Sequence, residues 1–210
     1  MKRIYMHPIP VRIWHWINAL SFLALIITGL QIRYRDAIQL TSFKDAVDIH
    51  NLFGFILIFN YMLWLLYYLF SGRLKVYIPV MGIGKYIKSS FRQARYYAYG
   101  IFVGEKNPHH GAPDNKFNPL QQTAYLNIML FFIPVQMVTG LFLWDITLFS
   151  RWINIMGGIK IVDSFHVLIF LFFASFFFVH IYLATLGHTP LAHIKAMFTG
   201  YEEAHEETEH

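Results

Sequence analysis

Residues Ile161–Leu186 read IVDSFHVLIFLFFASFFFVHIYLATL, an almost wholly apolar stretch long enough to cross a bilayer. It carries His166 and His180, which are 14 residues apart. On a helix this spacing is about 40° short of four turns, so both imidazoles leave the same face. At 1.5 Å per residue they are about 21 Å apart along the axis, one near each membrane surface. Two ligand-type side chains on one face at two depths predict two cofactors stacked across a membrane.

Three further apolar runs exceed the spanning length: Val11–Ile32, Ala46–Phe70 and Leu120–Trp144. Of the 210 residues, 56% are hydrophobic, 19% aromatic and 14% charged, which excludes an ordinary soluble domain. The expected fold is an all-α integral membrane protein, a single membrane domain over 1–210 built as a four-transmembrane-helix bundle. No cleavable signal peptide is expected, because the first run is long, carries His15 and Asn18, and lacks a small-residue cleavage site.

The chain has no cysteine, which removes disulfides, thiolate iron–sulfur ligation and C-x-x-C-H haem attachment together. A redox cofactor would be held non-covalently by histidine or methionine, and an iron–sulfur centre would come from another subunit.

Basic residues are distributed unevenly between the two sides. The N-terminal arm with the start of the first helix, the 71–119 loop and the 187–210 tail hold 12 of the 17, against 5 on the other side. The positive-inside rule therefore places both termini and the long loop in the cytoplasm. Within that loop, Ile83, Ile87, Ala94 and Tyr97 fall roughly on one side of a helical projection, with Lys85, Lys88, Arg92 and Arg95 mostly elsewhere. This pattern suits an amphipathic helix lying on anionic headgroups. His109 and His110, in a turn-rich section, read as solvated. Residues 1–10 read as a surface arm, and the acidic tail from Glu202 reads as disordered.

With the N-terminus inside, His15 near the start of the first helix is level with His180 near the end of the fourth. His50 near the start of the second is level with His166. No other pairing is level. Two neutral imidazoles facing each other across a gap between helices are what a six-coordinate haem iron needs. Zinc would want three or four clustered ligands. A lone intramembrane histidine is explained by a hydrogen bond to a neighbouring helix, but that reading weakens for four that pair by depth.

Arg12 at the inner face and Arg33 and Arg35 at the outer face are candidate propionate contacts, with snorkelling as the plainer alternative. Gly54 lies one turn beyond His50 and leaves room for a flat, bulky group. Gly29 and Gly140 read either as similar room or as helix-packing glycines. Pro134 is expected to kink the third helix. Asn60 and Gln136 read as interhelical hydrogen-bonding groups.

RIWHWINALSF and ITG in the first helix, DIHNLFGF in the second, KFNPLQQ before the third and the H-x13-H of the fourth carry a resemblance. Across nearly its whole length the chain resembles the di-haem cytochrome b subunits that anchor membrane-bound formate dehydrogenases, nickel–iron hydrogenases and thiosulfate reductases. The resemblance implies that His15, His50, His166 and His180 are axial ligands of two b haems. It also implies electron flow from an iron–sulfur subunit and its catalytic partner to the outer haem, the inner haem, and then a quinone (menaquinone or ubiquinone) near the cytoplasmic face. Asn118 and Gln121 match the family's quinone-pocket segment, although Pro119 and Leu120 replace its usual small residues. Helix capping by Asn118 accounts for the same residues. The location implied is a prokaryotic inner membrane. A haem-free transporter moving protons or metal ions along the histidines is the alternative, disfavoured by the scarcity of acidic residues within the spans.

Overall fold

The computed structural model describes residues 2–72, 81–109, 117–187 and 189–204. Arg73, Lys75, His110 and Lys116, with the acidic tail beyond Ala204, lie outside the described residues. In chain order the elements are β1 (Lys2–Tyr5), α1 (Ile9–Arg33), α2 (Phe43–Phe70) and α3 (Ile83–Ala98), followed by α4 (Pro119–Asn127) and α5 (Ile133–Trp144). Then come α6 (Ser150–Ile155), α7 (Ile159–Ala184), α8 (Ala192–Thr199) and β2 (Tyr201–Ala204). A π-helical turn, Ile128–Phe132, joins α4 to α5, so that Pro119–Trp144 is one continuous span.

Among the described residues four helices are long and apolar enough to cross a membrane: Ile9–Arg33, Phe43–Phe70, Pro119–Trp144 and Ile159–Ala184. Leu20, Phe59, Leu168 and Phe178 point outward, exposed. An apolar outer face on a long helix is stable against lipid and costly in water. The protein is an all-α integral membrane bundle.

Its core lies between α2, the α4–α5 span and α7, where Leu57, Tyr61, Trp64, Met129, Ile133, Ile169 and Phe173 are buried together. α1 packs along α2 and α5 packs along α7, whereas α7 makes few close backbone approaches to either α1 or α2. The bundle is thus two helix pairs with side chains, rather than closely packed backbones, meeting between them.

Local chemistry explains the element ends. Ser42 caps α2, its hydroxyl accepting from Asp45 N at 3.0 Å, and Pro10 sits in the first turn of α1, where its missing N–H costs nothing. Pro134 acts through the wide turn ahead of it. Ile133 N donates to Ile128 O in the i−5 register of that turn. The next bond in that register would be Pro134 to Met129 O, and proline has no N–H to give. Tyr61 on α2 supplies the missing donor, its hydroxyl 2.9 Å from Met129 O. Tyr61→Phe is therefore expected to leave this carbonyl unpaired at membrane depth and to destabilise the bundle by about 1–3 kcal/mol. Thermal unfolding in detergent, compared with wild type, measures the loss.

Two expectations for the extramembrane segments are corrected. The terminal arm and the start of the tail are ordered together: β1 and β2 pair antiparallel, with Tyr5 opposite Tyr201 and Ile4 opposite Glu202. Met6 N and His7 N both donate to Gly200 O. Gly200 has φ 89°, and a Cβ there would meet Tyr5 and the His7 carbonyl at under 3 Å, so only glycine fits this crossing. Glu202 lies between His193 Nδ1 at 3.7 Å and His7 Nε2 at 3.3 Å. Hydrogen bonds to His193 and His7 hold its carboxyl below the usual carboxylate range. Composition alone suggested disorder because the partner strand is some 200 residues away.

The second correction concerns α3, which docks on α4 through polar groups. The Tyr86 hydroxyl donates to Pro119 O at 2.7 Å, and Asn118 Nδ2 donates to the Tyr97 hydroxyl at 3.1 Å. Tyr97 belongs to this docking face rather than to the apolar one. Burial beside α4 raises the Tyr97 phenol above its ordinary pKa. Ile83, Ile87 and Phe91 remain exposed, forming the apolar face of the amphipathic helix.

Candidate functional site

The four candidate histidines come from three helices and meet as two pairs. At the end of the bundle that carries the termini, His15 of α1 faces His180 of α7 with ring centres 6.1 Å apart. At the far end, His50 of α2 faces His166 of α7 with ring centres 6.4 Å apart. No group of three or more histidines, aspartates or glutamates suited to a metal ion occurs among the described residues. Between the two levels Phe22 of α1 meets Phe173 of α7 edge-on at 5.0 Å. Phe173 is midway between His166 and His180 in sequence, and this contact closes the bundle between the pairs.

The spacing of the rings fits an iron held between them. A metal–imidazole bond is about 2.0–2.1 Å, and a ring nitrogen is about 1.1 Å from its ring centre. Two such reaches in line give about 6.3 Å, bracketed by the two observed separations. Direct packing or a direct hydrogen bond would not require α7 to stand off from α1 and α2.

The far-end pair is held by a repeated arrangement. Thr28 Oγ1 of α1 lies 2.9 Å from His50 Nδ1, and a Cβ on Gly29 would meet His50 Cε1 at 3.4 Å. Thr139 Oγ1 of α5 lies 3.0 Å from His166 Nδ1, and a Cβ on Gly140 would meet His166 Cε1 at 3.3 Å. Gly29 and Gly140 are therefore ring-facing glycines, while the side-chain position of Gly54 is open. Gln136 Nε2 lies 3.2 Å from His166 Nε2, with its own Oε1 buried and unpaired. An iron on His166 Nε2 would displace this amide. The threonines are the residues that sequence reasoning missed. Their signal was the recurrence of Thr-Gly in ITG at 27–29 and VTG at 138–140.

At the terminal end Asn60 of α2 donates to Trp14 O at 3.0 Å and to Asn18 Oδ1 at 3.1 Å, tying α2 to α1 on either side of His15. Phe176 stacks on His180 at 5.7 Å. Arg12 donates from Nη1 to Phe198 O near the C-terminus of α8, a favourable place for a cation, and its Nε is buried without a hydrogen-bond partner among the described residues. At the far end Arg33 pairs with Asp163 at 3.6 Å, joining α1 to α7. Arg35 lies 3.8 Å from Asp36 and 5.2 Å over the Phe43 ring.

Asn118 and Gln121 form a capping box at the start of α4. Asn118 Oδ1 accepts from Gln121 N at 2.9 Å, and Gln121 Oε1 accepts from Asn118 N at 3.1 Å. Both side-chain oxygens are thus engaged in capping the start of the helix.

Fold and paired histidines together describe a membrane-embedded b-type cytochrome. Residues 6–200 match the family model described as "Prokaryotic cytochrome b561", and the chain belongs to that family. It is 32% identical over 207 residues to the "Putative cytochrome YdhU" of Escherichia coli (strain K12), covering 95% of this chain and 75% of that protein. It is 26% identical to the "Probable Ni/Fe-hydrogenase B-type cytochrome subunit" of Rhizobium leguminosarum bv. viciae, covering 87% of this chain and 81% of the relative. The subunit of the same name from Azotobacter vinelandii is also 26% identical, over 86% of this chain and 80% of the relative. No solved structure matches. The protein is a haem-b-binding, electron-transferring membrane subunit.

Proposed function

We propose that this chain binds two haem b groups, one between His15 and His180 and one between His50 and His166, and links an oxidoreductase partner to the membrane quinone pool. The observation that carries the reading is the pair of ring separations, 6.1 and 6.4 Å, across helices that otherwise stand apart. Bound there, haem b supplies reversible one-electron chemistry. The histidines fix its two depths, and the surrounding apolar side chains exclude water and tune its potential.

Propionates at the terminal end would meet Arg12, whose buried Nε is without a hydrogen-bond partner among the described residues. At the far end Arg33 and Arg35 would serve, exchanging part of their pairing with Asp163 and Asp36. The quinone would bind at the terminal end beside α4, whose start is shaped by the Asn118–Gln121 capping box. The quinone would be menaquinone or ubiquinone.

The basic bias of the termini and the 71–119 loop supports a cytoplasmic (inner) membrane location with both termini inside. Electrons then enter at the far, extracytoplasmic end from an iron–sulfur subunit and leave on the cytoplasmic side. The names of the relatives favour a nickel–iron hydrogenase as the catalytic partner, with formate dehydrogenase and sulfur-compound reductase types as the other members of the class.

In proteoliposomes, dithionite-reduced protein is expected to show b-type bands that a menaquinone or ubiquinone analogue reoxidises. Bands indifferent to quinone would remove the quinone link. A haem-free chain carrying histidine-dependent proton or metal-ion flux would replace this reading with a transporter.

A further inference from the structure

The two far-end histidines meet threonines whose own protons are already committed. Thr28 Oγ1 donates to Ala24 O at 2.7 Å, one turn back in α1. Thr139 Oγ1 donates to Val135 O at 2.8 Å in α5. A hydroxyl has one proton to give. With that proton on the backbone carbonyl, each Oγ1 presents only lone pairs to the imidazole nitrogen, at 2.9 Å for His50 and 3.0 Å for His166. The imidazole must therefore supply the proton, which puts hydrogen on Nδ1 and leaves Nε2 bare. His166 gives a second indication of the same tautomer. The Gln136 amide nitrogen, which is only a donor, lies 3.2 Å from His166 Nε2, so this nitrogen is accepting.

We propose that Thr28 and Thr139 are positioning residues of the far-end site, each accepting the Nδ1 proton of a histidine from the neighbouring helix and so presenting both Nε2 lone pairs across the gap. The proposal rests on the two-haem reading above and extends it to residues that touch no cofactor. The device is built twice, once by α1 on α2 and once by α5 on α7. The glycine after each threonine brings its helix backbone close enough for the hydroxyl to reach the ring. A ligand imidazole that donates its other N–H is held in one orientation and is a more basic donor to iron, which favours the oxidised metal. Back-bonding of a threonine to its own helix is common on structural grounds alone. Valine removes that back-bond as well, so the haem potential is the readout that separates the two roles.

The test uses Thr28→Val and Thr139→Val, which keep the shape and remove the acceptor, beside Thr28→Ser and Thr139→Ser, which keep the acceptor. Each full-length protein is purified in detergent, its haem counted and its two haem potentials titrated optically. Valine at either position is expected to raise the far-end haem's potential, shifting its reduction equilibrium by about tenfold, or about 59 mV for one electron. The terminal-end haem should hold its potential, and serine should restore the wild-type value. Loss of the far-end haem in the valine variants with retention in the serine variants supports the same role. An unchanged potential in both valine variants, or equal changes with valine and serine, overturns it. Wild-type protein with fewer than two haems would instead overturn the reading on which it rests.

Discussion

His166→Ala is expected to leave the protein with one haem b per chain in place of two, and the haem retained is the one at the terminal end. His180→Ala should do the converse. The reasoning is geometric. His166 and His180 leave one face of α7 about 21 Å apart along the axis, and each faces a different partner, His50 or His15. Alanine at either position removes one of two axial ligands at a single level and leaves the other level intact. The Phe22–Phe173 contact between the levels stays in place in both variants. Pyridine haemochrome assay against protein concentration gives the count, and separate redox titration waves identify the survivor. Loss of both haems from either substitution would show that the sites are not independent. Loss of the terminal-end haem from His166→Ala would show that the pairing is crossed.

Gly140→Leu should have an effect of similar size without touching a ligand. The Cβ alone would lie 3.3 Å from His166 Cε1, already tighter than ordinary packing, and the branched remainder must displace the ring. His166 would then lose both its bond to Thr139 and its alignment with His50. The expected result is loss of the far-end haem with the terminal-end haem retained. Gly140→Ala needs a shift of only a few tenths of an ångström and should keep both haems with a perturbed far-end spectrum. Haem counts on the two variants decide this. If leucine is tolerated with two haems, Gly140 is a packing residue only.

The facing of the histidines in two pairs is legible in the sequence. The pairing of His15 with His180 and His50 with His166 followed from helical periodicity, span order and the near-ideal length of four apolar runs. These are long-range regularities that a sequence expresses directly. Which side chains surround a histidine depends instead on how each helix is rotated about its axis. That rotation is fixed by packing between helices distant in sequence, so Thr28 and Thr139 were invisible as partners even though ITG and VTG repeat the same pair. Pro134 was legible as a disturbance, but its resolution into a π-helical turn with Tyr61 on the freed carbonyl needed the neighbouring helix. Likewise the charged tail looked unstructured until β1 was found beside it. Asn118 and Gln121 had two readings, and the capping box accounts for both side-chain oxygens, leaving the quinone site to experiment.

The central claim is most directly tested by the haem-to-chain ratio of the oxidised wild-type protein, read together with its low-temperature EPR spectrum. The account predicts two haem b per chain and two low-spin ferric signals of the bis-imidazole kind. A single haem, none, or a high-spin signal lacking a second axial imidazole would contradict it.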